Sequence, residues 1–593
     1  GVAVHHRDAL DTIQKELREI KGTTVIIYDQ TCATEKRRRR KRGTMVDPTR
    51  RVVINELVCE GCGDCGVQSN CVSVEPLETE FGRKRQINQS TCNKDFSCVK
   101  GFCPSFVTVE GGQLRKKGKS KSSAPELGPL PEPVIPQLAG TVADQSRSGA
   151  WGIIVAGVGG TGVITIGQLL GVAAHLEGKG VVTQDAGGLA QKGGATWSHV
   201  LIAAAQEDIR TTRVSMASAD LVIGCDPIVV AGKETVLRMR QGRTHVALNS
   251  HSAPTAAFVS QPNWTNPGDE CLVEITRVVG EDGVGAFDAD AIAIRFLGDS
   301  IYTNPIMLGY AWQKGWIPLQ LASLVRAIEL NAVAVENNKA AFAWGRKAAL
   351  DCPAVQKMLN SGQVVSFLPR LTLSVEDLVA RRVEFLTGYQ NAAYAASYAG
   401  FVEQVRRAEE GLSRHALTMP GKSTSLPLTE AVARYLFKLM AYKDEYEVAR
   451  LHTDSEFLTK IDAQFEGNFK LHYQLAPPLV AGRNAAGELL KRTYGPWMQT
   501  VFRLLAPLKI LRGGALDVFG YTEERRHERA LVTEYRSALE SILPKLNTDN
   551  LATAVAFARL PEQIRGFGHI KARHTAAVHQ QWAVMLGQFH KPG

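Results

Sequence analysis

The chain has 593 residues, enough at about 150 residues per domain for roughly four domains. Its 44% hydrophobic and 22% charged content is ordinary for globular protein and excludes wholesale disorder and a fibrous repeat. The net charge of +10 favours acidic partners: nucleic acid, anionic lipid, phosphorylated cofactors or an acidic protein.

Residues 1–44 are too few for a complete domain. Asp8 is placed to cap a helix with apolar positions Leu10, Ile13, Leu17 and Ile20 and Gly22 as its stop. Thr24 to Tyr28 reads as a strand. The pair looks like the tail of a larger α/β domain lying upstream. No charged-then-apolar-then-small leader follows Gly1, so no secretory signal is expected. Lys36 to Arg42 is a block of seven positive charges. It fits a solvated or nucleic-acid-binding run, or contact with an acidic redox partner, phosphates or a neighbouring domain. The second group of readings is preferred, though the run alone does not decide.

Eleven cysteines follow an uneven distribution, with seven of them between positions 59 and 103. Cys59-Glu-Gly-Cys62-Gly-Asp-Cys65 is a C-x2-C-x2-C run; Cys71, Cys92 and Cys98 come next, and then Cys103 directly before Pro104. This resembles the bacterial ferredoxin arrangement, in which one loop wraps a cubane cluster. Thiolates are soft ligands for iron–sulfur clusters or zinc, and three at this spacing fit a cubane better. Gly61, Gly63 and Gly66 would let backbone amides approach the sulfurs. In ferredoxins the fourth cysteine of each run ligates the other cluster. Carried over by position, Cys59, Cys62, Cys65 and Cys103 hold one cluster. Cys71, Cys92 and Cys98 are left for a second. There Asp95 stands where a cysteine is usual, in Cys92-Asn-Lys-Asp95-Phe-Ser-Cys98. Some ferredoxins use an aspartate at that place and lose one iron easily. The second cluster is therefore a three-iron form, an Asp-ligated four-iron form, or absent. Cys32, Cys225, Cys271 and Cys352 read by default as small buried hydrophobes. Clusters and free thiols together imply a reducing, cytoplasmic setting.

Residues 45–112 form the cysteine module, with short strands at Arg51–Ile54 and Phe106–Val109. Residues 113–148 are rich in Lys, Ser and Pro and read as an extended linker. Residues 149–365 alternate strand and helix signals. Strands are expected at 152–156, 180–184, 221–225, 244–248 and 284–287, giving a doubly wound, largely parallel sheet. Trp151 to His175 lacks charge and is long enough to span a membrane, but its glycines suit a strand, tight loop and helix better. Residues 366–593 read as a mostly α-helical domain, with Leu428, Val432, Leu436 and Leu439 on one stripe. The fold class is multidomain α/β.

Gly157-Val-Gly159-Gly160-Thr-Gly162 follows a strand and opens a helix, whose first amides can meet a phosphate. Asp185 lies at about the distance that favours NAD. It leads, however, into a second glycine-rich loop that includes Gln191, Lys192, Gly193 and Gly194. No Walker Lys–Ser/Thr pair follows Gly162, which argues against nucleotide hydrolysis.

Together these residues resemble the C-terminal half of a fused bacterial indolepyruvate ferredoxin oxidoreductase, of the 2-oxoacid:ferredoxin oxidoreductase superfamily. Tyr28-Asp-Gln-Thr-Cys32 with Glu35 to Gly43 is similar to the end of its thiamine-diphosphate domain. Residues 59–104 are similar to its ferredoxin-like module. Gly157 to Gly162 and Gly188 to Gly194 are similar to its γ domain. The helical region is similar to an extension of unassigned role. The resemblance implies oxidative decarboxylation of an aryl 2-oxoacid with CoA, giving acyl-CoA, CO2 and reduced ferredoxin. It also implies a dimer. The Gly-Asp-Gly and later Asn that hold magnesium and thiamine diphosphate are not found here, so that cofactor is expected on an upstream part or partner. No catalytic residue is nominated; His199, His251 and the His5-His6 pair read as satisfied or exposed histidines. The glycine loops, with Gln191, Lys192 and Gly193, would meet CoA phosphates or pack against the thiamine domains, and the CoA side is preferred. The rivals are an NAD(P)-linked iron–sulfur oxidoreductase and a non-enzymatic iron–sulfur nucleic-acid-binding protein.

Overall fold

A computed structural model describes residues 2–115, 127–138, 149–187, 194–255, 257–261, 263–360, 374–416, 426–478, 480–484 and 487–590. The chain falls into two units, Gly1–Asp47 and Pro48–Gly593. In the first, α1 (Leu10–Arg18) half-buries Leu10, Ile13 and Leu17, and α2 (Ala33–Lys41) carries most of the basic run. Asp8 is not the cap; it sits in a short 3-10 turn whose cap is His6. Thr24 to Tyr28 forms no strand, and Val25 and Ile27 are 76% and 82% exposed. A strand needs a neighbour to take its N–H and C=O groups, and no strand is present among the described residues of this unit.

The second unit opens with β1 (Arg50–Ile54), α3 (Asp64–Ser69), β2 (Val74–Thr79), β3 (Gly82–Ile87) and β4 (Phe106–Glu110). β1 pairs antiparallel with β4, Ile54 opposite Phe106, and β2 and β3 form a hairpin. Phe106 to Val109 are all buried. That pattern requires cover on both faces of the strand. After β5 (Gln113–Leu114), the proline-rich residues 127–138 are extended but pinned. Gln313 donates to the Pro131 carbonyl at 2.9 Å, and Arg346 to the Leu130 and Pro131 carbonyls, each at 3.0 Å.

The next layer contains β6 (Ala150–Val158), α4 (Val163–Leu176), β7 (Gly180–Gly187), β8 (Ala195–Ala203), β9 (Leu221–Gly224), β10 (His245–Asn249) and β11 (Val284–Phe287). They form one sheet of order β11-β10-β9-β6-β8-β7. β6, β9, β10 and β11 are parallel, whereas β8 runs antiparallel to both β6 and β7. The sheet is therefore mixed. Strand–helix alternation misses β8, because only seven residues, 188–194, separate it from β7. Trp151 to His175 is strand, loop and helix, and no described helix is long and apolar enough to cross a membrane. α5 (Thr303–Gln313), buried throughout, packs against α6 (Val335–Leu350) on one face.

The C-terminal region contains α7 (Val375–Tyr389), α8 (Ala392–Ala416), α9 (Pro427–Met440) and α10 (Glu445–His452). Leu428, Val432, Leu436 and Leu439 are all buried on α9. It is not only helical. β12 (Phe465–Glu466) pairs with β5, β13 (Lys470–Leu475) pairs with β4, and β14 (Arg492–Tyr494) extends the sheet to β1-β4-β13-β14. Then come α11 (Glu523–Ile542), α12 (Leu551–Arg559) and α13 (Gly568–His590). One face of the shared sheet packs Val53, Val107 and Val109 against Ala449, Phe457 and Tyr473. The other packs Val52, Ile54 and Phe106 against Val448, Leu451 and Phe567. The helical region thus supplies the cover that β4 requires.

A second tie runs through the hairpin tip. Phe81 sits 5.2 Å from Phe385 and 5.8 Å from Phe437 between ring centroids, with the Arg382 guanidinium 4.3 Å above its own ring. Phe81→Ala removes this plug and is expected to cost about 2 kcal/mol. Calorimetry should show a lower unfolding midpoint, and the hairpin should become protease-sensitive. An unchanged midpoint with an intact hairpin contradicts the tie.

Candidate functional site

The loop from Cys59 to Cys65 runs into α3, and Cys103 ends the turn that feeds β4. Gly61 has φ +66°, and a Cβ there would lie 2.2 Å from the Arg83 carbonyl oxygen, so the loop admits no side chain. Its amide donates to Cys59 Sγ at 3.3 Å, and the Ser105 amide to Cys103 Sγ at 3.4 Å. The Gly66 amide is spent inside the helix on the Gly63 carbonyl, not on a sulfur. None of the eleven cysteines forms a disulfide.

Electrostatics divides the thiols into two sets. Burial raises the pKa of Cys62 well up and that of Cys65 also; both feel Cys59 and Cys103. Burial pushes Cys98 up to about 12, with Cys71, Cys92 and Asp95 adding to the rise. Cys92 is raised by burial and feels Cys71 and Asp95. The sets adjoin at Cys65, which also feels Cys98. In the second set, Asp95 accepts from the Ser97 hydroxyl at 2.6 Å. It sits between two residues in left-handed backbone, Lys94 at φ +53° and Phe96 at φ +64°. Such conformations cost of order 1–3 kcal/mol each and cluster at functional sites. Among the described residues no three His, Cys, Asp or Glu side chains converge closely enough for a single metal ion. The thiols are grouped more openly than one ion requires. Cys225 is buried, Cys271 and Cys352 are half-buried, and Cys32 is exposed, unlike the small buried hydrophobe expected of it.

Cations converge on the thiols. Arg85 is 1% exposed and lies within electrostatic reach of Cys59 and Cys65. Lys84 donates to the Cys59 carbonyl at 2.7 Å. Lys491 reaches in from the C-terminal region, donating to the Gly101 carbonyl and facing Cys103 and Cys98. Burial lowers Lys84 and Lys491 each to about 8. Buried cations beside neutral thiols are costly; beside thiolates they are paired. His452 clasps the module at both ends. Its Nε2–H donates to the Pro104 carbonyl at 2.9 Å, and its Nδ1 accepts from Asn55 at 3.3 Å. Burial takes its pKa down to about 4, so the ring is neutral and this tautomer is fixed. Sequence reading missed Lys491 and His452 because they lie more than 300 positions from the cysteines.

The glycine loop sits at the carboxyl end of β6. Gly157 is a packing glycine: a Cβ there would lie 2.7 Å from the Cys225 Cβ. Gly160 and Gly162 have φ +81° and +99°, and Gly162 caps α4. The Gly159 amide donates to the Gly194 carbonyl at 2.8 Å, and Asn304 donates to the Thr161 carbonyl at 3.0 Å. The loop is therefore stapled to the second glycine-rich stretch. Gln191, Lys192 and Gly193 lie outside the described residues. Asp185 is exposed on β7, and β8 separates it from β6. Two strand spacings, about 10 Å, remove it from the loop, which overturns the main argument for NAD.

At the same sheet edge Asp226 caps a short helix through Ile228 and Val229 and accepts from the Ala253 amide at 3.0 Å. His251 lies beside it. Burial opposes its charge, but Asp290, Asp288, Glu75 and Asp226 outweigh burial and raise its pKa. His199 is driven to about 4 by burial, with Arg238 and Arg213 adding to the fall, and stays neutral.

Residues 152–348 match the family described as pyruvate ferredoxin/flavodoxin oxidoreductase, and residues 375–584 a family of unknown function, DUF6537. The indolepyruvate oxidoreductase subunit IorB of Pyrococcus horikoshii is 31% identical over 215 residues, 35% of this chain and 98% of that protein. The chain belongs to the 2-oxoacid:ferredoxin oxidoreductase family. The IorB subunit of Methanothermobacter thermautotrophicus is 28% identical over 34% of this chain and 98% of its own length. A keto/oxoacid ferredoxin oxidoreductase γ subunit from Geobacter sulfurreducens is similar over 34% of this chain and 98% of its own, with 21% identity and TM-score 0.24. These relatives are oxidoreductases. Within this member of the 2-oxoacid:ferredoxin oxidoreductase family, the oxidoreductase match holds the glycine loop and the His251 edge. Both thiol sets precede it, and His452 and Lys491 fall in the DUF6537 match.

The raised pKa of His251 makes a pH-dependent contribution to stability. That contribution is complete below the ordinary value of 6.5 and is lost as pH rises through the raised value. The midpoint difference between wild type and His251→Gln should therefore shrink from pH 6 to pH 9. A constant difference contradicts the assignment.

Proposed function

We propose that this chain is the electron-transfer and γ-domain portion of an indolepyruvate or other arylpyruvate ferredoxin oxidoreductase. One observation carries the reading: two disulfide-free thiol sets, with Cys59, Cys65, Cys98 and Cys103 buried and Cys62, Cys71 and Cys92 half-buried, met by cations in a chain of this family. Cys59, Cys62, Cys65 and Cys103 would hold a 4Fe–4S cluster. Cys71, Cys92, Cys98 and Asp95 would hold a second, in three-iron or four-iron form. The donor chemistry fits: soft thiols receive backbone N–H bonds, and Arg85, Lys84 and Lys491 balance the charge. When bound, such clusters supply one-electron transfer.

The chain's own residues then exclude water, hold the sulfurs and set the local potential. The full reaction would convert an aryl 2-oxoacid, CoA and two oxidised ferredoxins to acyl-CoA, CO2, a proton and two reduced ferredoxins. Carbon chemistry belongs to thiamine diphosphate with magnesium, on an upstream part or partner, because the chain lacks the motif that holds them. The Gly157, Gly159, Gly160 and Gly162 loop, with Gln191, Lys192 and Gly193, is assigned to the CoA side. The aryl substrate rests on the relatives named indolepyruvate oxidoreductase. A cytoplasmic dimer with ferredoxin as acceptor completes the reading. The Lys36–Arg42 run is assigned to a protein or phosphate contact.

The native assembly, purified without air, tests this by viologen reduction with indolepyruvate or phenylpyruvate. Reduction that needs both the 2-oxoacid and CoA is expected. Reduction without CoA removes the CoA assignment, and no reduction in a sample with intact cluster EPR signals overturns the function. Cys62→Ser should lower bound iron by about four atoms per chain while leaving the second set's EPR signal. Unchanged iron contradicts the ligand set.

A further inference from the structure

The β2–β3 hairpin and the helical region enclose a cavity of about 510 Å3, away from the glycine loop and facing neither set of sulfurs. Its volume is that of a small-molecule site. Arg382 and Phe385 of α7 line it, as do Tyr435, Phe437 and Lys438 of α9, with Arg559 from α12. Asn263 and Thr265 of the sheet domain also line it, so all three parts of the second unit meet here.

Eight cationic side chains line this space against five carboxylates. The carboxylates are already engaged. Glu60 pairs with Lys443, Glu78 with Arg83 at 2.5 Å, and Glu562 with Arg565 at 3.3 Å. Glu56 and Glu80 pair with Lys460 and Arg381, which are not lining residues.

Three of these cations have hydrogen bonds to backbone oxygens only among the described residues: Lys84, on the Cys59 carbonyl, Lys438 and Arg382. Lys438 donates to the Pro561 and Glu562 carbonyls at 2.8 and 2.9 Å. Arg382 is 2% exposed and lies between Phe81 and Phe437, at 4.3 and 4.5 Å from the ring centroids. It donates through Nη2 to the Glu80 carbonyl, while its Nε and Nη1 have no acceptor among the described residues. Burial lowers both groups, Arg382 to about 10. Glu80 partly offsets burial at Arg382 and Glu60 at Lys438, but those carboxylates already pair with Arg381 and Lys443. An anion in the cavity would add to the counter-charge that these two cations share. Phe385, Tyr435 and Phe437 give the same space an aromatic wall.

We propose that this cavity binds a small organic anion, its carboxylate or phosphate oxygens toward Lys438 and the field of Arg382, its apolar or aromatic body against Phe385 and Phe437. No cysteine lines the site, although Glu60 and Lys84 beside Cys59 do. It gives the helical region a ligand-binding role in addition to covering the sheet.

Titration calorimetry on the full chain, prepared without air, tests it with four probes: benzoate, phenyl phosphate, benzyl alcohol and inorganic phosphate. Benzoate or phenyl phosphate should bind, and which of them binds more tightly tells carboxylate from phosphate. Benzyl alcohol should not bind, and inorganic phosphate should bind at least tenfold more weakly than phenyl phosphate. Lys438→Met should weaken the aryl anion at least tenfold. Arg559→Ala, an exposed change that leaves the core intact, should weaken it several-fold. No aryl-anion binding at millimolar concentration overturns the proposal. So does affinity unchanged in both variants, or inorganic phosphate binding as tightly as phenyl phosphate.

Discussion

The arrangement depends on one electrostatic constraint: buried cations have to face buried sulfurs. Arg85 and Lys84 come from the hairpin within the cysteine module, but Lys491 comes from the helical region almost 400 residues away. A desolvated ammonium between two thiol sets is unfavourable unless those sulfurs carry charge. The sheet meets the same need for closure in apolar terms. Phe106 to Val109 are buried on both faces only because β13 and α10 lie against them. The helical region therefore completes the cysteine module, and the neutral His452 fixes its two ends together.

The sheet domain meets the same junction from the other side. Ser90 of the cysteine module donates to Asp299 at 2.8 Å, and Glu75 of the hairpin lies within electrostatic reach of His251 at the carboxyl edge of the sheet. Open α/β sheets place ligands outside the carboxyl ends of their strands. Here that edge holds both the stapled glycine loop and the His251 cluster. The cysteine module and the sheet edge are thus held in one unit by polar contacts, while aromatic contacts at Phe81 fix the hairpin to the helical region.

Local signals were legible wherever spacing alone dictates structure. The parallel strands of the sheet domain, β1, β4 and the α9 stripe follow from apolar runs and helical periodicity. In the structure Cys62 and Cys65 feel Cys59 and Cys103, Cys92 and Cys98 feel Cys71 and Asp95, and Cys65 also feels Cys98. What escaped is non-local. β8 breaks strand–helix alternation, and β13 is too short to declare its partner. Lys491 and His452 look like any surface Lys and His until the chain brings them to the cysteines. Asp185 misled for a related reason: its distance in sequence suits a dinucleotide, but an intervening antiparallel strand moves it away. Thr24 to Tyr28 has strand composition and no strand beside it among the described residues of its own unit.

The most direct measurement is an EPR-monitored redox titration of the anaerobic full chain beside Lys491→Met. Removing a buried cation next to both sulfur sets disfavours the more negative, reduced state. The account predicts that both cluster signals shift to more negative potential, on the order of tens of millivolts, with iron content unchanged. Potentials that coincide in the two proteins would contradict it.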